Sequence, residues 1–279
     1  NGTILGGDFS YVENNGVISG GNYTYYIINK GTINGGDFSN SSTVIFNHDG
    51  ATVSDEIRET VKVVSPQPVT LNLTKLTHNA KKLVTTPGKE YSFSIFADEG
   101  CAVPETVQIT IGGELCDNFG YYISEDGRSA DIYIWDTYQT APIVITAAAA
   151  EATFSDIGKL SIGETYIINN SVVRATSGEG WSFNNETNTL TLKNATITTH
   201  LGDEDSGIFC DEDLNIVLEG TNIIDLSEDT DADYGIFTYG NLTISGTDED
   251  SLTIKTADQS GSESYGIDTY NDLVVSGVT

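Results

Sequence analysis

The sequence predicts an all-β chain: a right-handed parallel β-helix or solenoid, interrupted by a β-sandwich module. Three observations carry that prediction. A short phrase recurs near the N-terminus at steps of 14 and 15 residues. A longer phrase recurs near the C-terminus at steps of 28 and 31. Between them the period disappears and apolar residues alternate with polar ones, the pattern of half-buried strands. Glycine is abundant, with 29 residues against 5 prolines, and no stretch has the period of a long amphipathic helix.

The first segment, residues 1–61, repeats Gly2-Thr-Ile4-Leu-Gly6-Gly7-Asp-Phe9 as Gly16-Val-Ile18-Ser-Gly20-Gly21-Asn-Tyr23 and Gly31-Thr-Ile33-Asn-Gly35-Gly36-Asp-Phe38. A fixed period means that each unit buries its apolar face on its neighbours. Short strands centred on Ile4, Ile18 and Ile33 are expected, each followed by a glycine corner and an aromatic. Glycine pairs permit the positive φ of a sharp corner. Whether one repeat or two make a turn of the solenoid is left open. A second phrase, Val12-Glu-Asn-Asn-Gly16, Ile28-Asn-Lys-Gly31 and Phe46-Asn-His-Asp-Gly50, runs between the copies.

Residues 62–152 read as a β-sandwich. Tyr91-Ser-Phe93-Ser-Ile95 and Val107-Gln-Ile109-Thr-Ile111 alternate, and Gly112-Gly113 closes the second strand. Asp126-Gly127 marks a hairpin between Tyr121-Tyr-Ile123 and Ile132-Tyr-Ile134, and Ile143-Val-Ile145 supplies a further strand. Of the three cysteines, Cys101 and Cys116 are able to pair, and Cys210 reads as a small buried residue. Three cysteines and scattered His48, His78 and His200 exclude a disulfide framework and a zinc cluster.

Residues 153–279 carry the longer repeat. Gly207-Ile-Phe, Gly235-Ile-Phe and Gly266-Ile-Asp are each followed, seven residues after the glycine, by Leu214-Asn-Ile216, Leu242-Thr-Ile244 and Leu273-Val-Val275. A third strand per turn is assigned to Leu190-Thr-Leu192, Ile223-Ile224 and Leu252-Thr-Ile254. Three short strands in about 30 residues meet the requirement of a right-handed parallel β-helix. The leucines, with Ile216, Ile244 and Val275, are expected to stack inward. The chain starts and stops inside repeats, so it is expected to belong to a longer protein or to have its open end covered by another chain, with self-association through that end.

The phrases Gly180-Trp-Ser-Phe183 and Thr189-Leu-Thr-Leu192-Lys-Asn-Ala-Thr-Ile197, with the Gly-Ile…Leu-x-Ile rungs, resemble secreted β-helix modules of Gram-positive gut and commensal bacteria. Those modules share the pectin-lyase-type helix and are described as carbohydrate-binding or adhesin-like. Thr86-Pro-Gly-Lys-Glu-Tyr91 through Gly100-Cys-Ala-Val-Pro104 and Ile109-Thr-Ile111-Gly-Gly is similar to the Ig-like modules of such surface proteins. The resemblance implies a secreted or cell-wall-anchored protein that binds a glycan or a host or cell-surface protein.

The net charge of −29 repels phosphate backbones and anionic lipid, so nucleic acid is excluded as a partner. No run of apolar residues is long enough to span a bilayer, so membrane insertion is not expected. Residues 153–279 hold 23 acids against Lys159, Arg174, Lys193 and Lys255. A lyase needs a base and a cation to handle a uronate, and a hydrolase needs two carboxylates at a set separation in a groove. Here the bases share no register and the acids sit at turns, so no catalytic residue is assigned.

Two ladders are the candidate sites. Stacked rungs lie ~4.8 Å apart, which puts Phe209 over Phe237, Tyr234 over Tyr265 and Tyr239 over Tyr270. Rings in a row suit the C–H faces of sugars, and these six are the candidate ligand-binding residues. Acids cluster before each repeat glycine, and Asp203, Asp205, Asp231 and Asp233 are candidate calcium ligands. Like charges at rung spacing repel by ~1 kcal/mol in water, which calcium or splayed loops relieve.

Overall fold

The computed structural model describes residues 2–135, 139–201, 204–257 and 264–278. Strands dominate the described residues, and Asp55–Arg58 is their one α-helix. The all-β class is thus met. The chain divides into two compact units, Asn1–Ile123 with Arg128–Ala150, and Ser124–Gly127 with Glu151–Thr279.

The first unit begins with a parallel seven-stranded sheet. Its long central strand, Val17–Asn29, pairs with Thr3–Ile4 and Asp8–Asn14 on one side, and with Thr32–Asp37 and Val44–Asn47 on the other. Thr52–Val53 and Lys62–Val64 add to the same sheet, so the pairing continues three residues beyond 61. Ile4, Ile18, Ile33 and Val53 stand in one register; Val12, Ile27, Ile45 and Val63 stand in another. Ile18, Ile27, Ile33 and Ile45 are fully buried.

Gly6-Gly7 separates Thr3–Ile4 from Asp8–Asn14 as expected, but the other two glycine pairs do not separate strands. Gly20-Gly21 lies inside Val17–Asn29 and Gly35-Gly36 inside Thr32–Asp37. The register shifts there, and Gly21 and Gly36 take positive φ, so each pair is a bulge that bends a continuing strand. Strands break instead at the second phrase. There Gly31 has no room for a side chain, since a Cβ would stand 2.2 Å from the Gly16 carbonyl oxygen.

Residues from Val69 to Ala148 form two four-stranded sheets. One joins Gly120–Ile123, Ser129–Ile134, Tyr91–Ala97 and Leu76–His78; the other joins Glu114–Leu115, Gln108–Ile111, Ile143–Ala148 and Val69–Thr74. The second has one parallel pair, Ile143–Ala148 with Val69–Thr74. Alternation buries Tyr91, Phe93, Ile95, Ile132 and Ile134 from the first sheet against Val69, Ile109, Ile143 and Ile145 from the second. The hairpins at Gly112-Gly113 and Asp126-Gly127 form where the turn residues indicate. Cys101 and Cys116 are free thiols, and Cys210 is fully buried; burial pushes the Cys210 thiol up to about 12.

In the second unit the chain visits three sheets in a repeating order. Ser206–Cys210, Tyr234–Thr238 and Tyr265–Thr269 pair in parallel in one sheet. Leu214–Glu219, Leu242–Ser245 and Leu273–Ser276 do so in a second, and Thr221–Leu226 and Ser251–Thr256 in a third. Leu214, Ile216, Leu242 and Ile244 are buried in one aliphatic cluster with Ile208, Ile236, Ile224 and Leu226. Gly235 is required because a Cβ would stand 2.3 Å from the Ile254 side chain of the third sheet.

Two expectations for this unit are corrected. Leu190 and Leu192 pair with Ile216 and Leu218, so the strand Thr189–Lys193 is an earlier rung of the second sheet. The third sheet starts with Thr196–Ile197. Leu273 and Val275 are not buried; they are 44% and 52% exposed, because their strand is the outermost rung of its sheet.

Candidate functional site

The rungs Ser206–Cys210, Tyr234–Thr238 and Tyr265–Thr269 bring six rings into one connected cluster. Strand register sets Phe209 beside Phe237 and Tyr234 beside Tyr265. Their rings stack at 5.9 and 5.8 Å between centroids. Tyr239 and Tyr270 follow the strands and meet at 5.1 Å. Tyr239 stands edge-on to Phe237 at 5.0 Å and to Phe209 at 6.0 Å, and Tyr234 closes on Phe237 at 4.9 Å. The cluster is graded from floor to surface. Phe209 is buried, Phe237 and Tyr234 are half-buried, and Tyr239, Tyr265 and Tyr270 are exposed.

One member was missed by the sequence reading. Asp268 is the rung partner of Phe237 and places a carboxylate among the rings. Its signal was the substitution of Asp for Phe in the third copy of the Gly-Ile-Phe phrase. Burial, then Asp268, Asp233 and Asp205, push the Tyr234 phenol above its ordinary value, so it remains a neutral hydrogen-bonding group. A face of rings with phenolic hydroxyls offers apolar contact and hydrogen bonding together.

The acidic ladder is arranged differently. The Asp205 carbonyl accepts hydrogen bonds from the amides of Asp233 and Tyr234 at 2.8 and 3.0 Å, and the Asp231 amide donates to Asp229 Oδ1 at 3.3 Å. Asp203 lies outside the described residues, as do Asp258 and Glu263. Neighbouring acids already have partners. Lys159 Nζ donates to Glu204 Oε1 at 2.6 Å, and His200 Nδ1 lies 2.7 Å from Asp229 Oδ2. Among the described residues no three His, Cys, Asp or Glu side chains converge into a metal-holding group. Among them, too, no helix is long and apolar enough to cross a membrane.

In comparisons with family models, curated proteins and solved structures, nothing matches this chain.

Proposed function

We propose that this chain is a bacterial surface protein, secreted or wall-anchored, that binds a glycan without turning it over. In this reading the three C-terminal sheets are the walls of a right-handed parallel β-helix, and the two-sheet module is Ig-like. The observation that carries the reading is the six-ring cluster, in which Tyr239, Tyr265 and Tyr270 are exposed. Exposed rings grouped on a regular, rigid face are what a saccharide needs, since sugar C–H groups pack on ring faces while hydroxyls meet phenols and carboxylates. The sequence resemblance to adhesin-like modules points the same way.

A glycan array on the whole chain tests this. Binding that falls about tenfold or more in Tyr239→Ala with Tyr270→Ala, at an unchanged melting temperature, is the expected result. Absence of any bound glycan favours the second reading, a structural stalk or surface-layer segment that spaces other domains. That reading draws on the parallel seven-stranded sheet, whose interior ladder of asparagines serves rigidity. A third reading, a non-catalytic part of a polysaccharide-active enzyme, predicts that the bound glycan is the substrate of an adjoining domain.

A further inference from the structure

A groove lies on the two-sheet module, lined by none of the six rings of the C-terminal rungs. The segment Asn79–Thr86 and the outer face of the strands Tyr91–Ala97 and Ser129–Ile134 enclose a groove of about 610 Å³, within the range that holds small ligands. Because Tyr91, Phe93, Ile132 and Ile134 point into the core, Ser92, Ser94, Asp131 and Tyr133 are left on the outer face. The register sets Ser92 beside Tyr133 and Ser94 beside Asp131.

The floor is fixed by hydrogen bonds. Asn79 Nδ2 donates to Ser94 Oγ at 3.1 Å, and Ser94 Oγ donates to Asp131 Oδ1 at 2.7 Å. The Ser94 amide donates to Asn79 Oδ1 at 2.7 Å, which orients the Asn79 amide. The chain of bonds leaves one Asn79 N–H and the second Asp131 oxygen without a described partner, a donor and an acceptor held ready.

Beside this floor stands an aromatic platform. Tyr133 stacks with Trp135 at 6.4 Å and 22°, and Tyr122 meets it edge-on at 5.6 Å. Gly120 makes room for Tyr122, since a Cβ there would stand 2.9 Å from the Tyr122 ring. The opposite wall is basic. Residues 75–89 hold four lysines and no acid, a third of the Lys and Arg of the chain. Lys81 and Lys82 of that run line the groove, are exposed, and form no ion pair among the described residues. In a chain of net charge −29, a groove where Lys81 and Lys82 balance Glu90 and Asp131 is locally neutral.

We infer that this groove binds a saccharide bearing a carboxylate, of the uronate or sialate class. The sugar ring would lie against Tyr133, its hydroxyls would meet Asn79 and Asp131, and its carboxylate would face Lys81 and Lys82. Glu90, on the rim, disfavours a ligand that is anionic throughout, so a polyacid such as a glutamate peptide fits less well than a sugar with one charge per ring.

The test titrates the whole chain with hyaluronan tetrasaccharide, trigalacturonate and sialyllactose, reading Trp135 by fluorescence and the backbone by NMR. Cellotetraose, lactose and tetraglutamate are the controls. At least one acidic saccharide should bind, more weakly as salt rises, and shift the amides of residues 79–94 and 131–135. Lys81→Ala with Lys82→Ala should weaken it about tenfold, and Tyr133→Leu should do likewise. Tyr239→Ala with Tyr270→Ala should leave it unchanged, which separates this site from the aromatic rungs. The inference is overturned if no acidic saccharide binds at millimolar concentration, if the lysine variant binds as wild type does, or if tetraglutamate binds as tightly.

Discussion

The N-terminal sheet and the C-terminal rungs both stack parallel strands in register and both bury isoleucines, yet the first adds ladders of rings and of asparagines to its interior. Around Ile18 and Ile33 the short repeat stacks Phe9, Tyr23 and Phe38 at 5.3 and 4.8 Å, and then stacks Asn14, Asn29 and Asn47. The C-terminal rungs, about twice as long in sequence, enclose leucine and isoleucine from three sheets. A short repeat has few inward positions per rung, so it spends them on groups that bond like to like up the stack. A long repeat supplies a larger aliphatic volume per turn, and burial of that volume carries most of its interior.

The sharpest way to break that comparison is Asn29→Ala. Asn29 is fully buried. It accepts from Asn14 Nδ2 at 2.7 Å and donates to Asn47 Oδ1 at 2.7 Å and to the Thr52 carbonyl at 3.0 Å. Removal orphans buried groups on both neighbouring rungs, at about 1–3 kcal/mol each, for a total near 4 kcal/mol. Hydrogen exchange over residues 12–53 should report it as local opening of several rungs. Protection unchanged within one rung of Asn29 would mean that the ladder contributes nothing.

Leu242→Ala is the matching cut in the other core. Leu242 is fully buried between Leu214 and Leu273, and its truncation should cost about 3 kcal/mol in chemical denaturation. The same change at Leu273, on the outermost rung, should cost under about 1 kcal/mol, because less of the side chain leaves water. Thr243, on the outward phase of the Leu242 strand, should tolerate Ala within about half a kcal/mol. Equal losses at 242 and 243 would reverse the assigned face.

Repeats were legible because a stacked rung imposes the same steric demand at each pass. The closeness of Gly235 to the Ile254 side chain is a backbone requirement that writes itself into sequence. The assignment of Leu190 and Leu192 failed for a related reason. Leu-x-Leu satisfies an inward-facing strand in either sheet, and no Gly-Ile phrase precedes it to set its phase. The place assigned to it in the third sheet is taken by Thr196–Ile197, which pairs with Ile223 and Ile224. The ring cluster was readable from aligned copies, whereas the groove on the two-sheet module was not. Asn79, Ser94 and Asp131 meet only through tertiary pairing, and the lone sequence trace of that groove is the acid-free lysine run. The role of Gly20-Gly21 and Gly35-Gly36 as bulges was hidden because a corner and a bulge ask for the same φ.

The smallest expected effect concerns the outer faces of the C-terminal rungs, where opposite charges stack. Lys255 Nζ donates to Asp225 Oδ2 at 2.7 Å, and Lys193 Nζ to Glu219 Oε2 at 2.7 Å. Both pairs join residues in rung register. The Lys255 hydrogen bond first, then those from Ser227, bring the Asp225 carboxyl down to about 2. A carboxyl whose value is lowered in the folded state stabilises it above the ordinary carboxylate value, about 3.9, and loses that contribution as pH falls towards 2. Solvent and salt screen such a pair, so the difference between wild type and Asp225→Asn should be small at neutral pH and smaller in high salt. That difference in melting temperature should close between about pH 4 and pH 2. A gap that persists unchanged through this range would show that Asp225 acts there through packing or its bonds to Ser227, and that charge stacking adds nothing to these rungs.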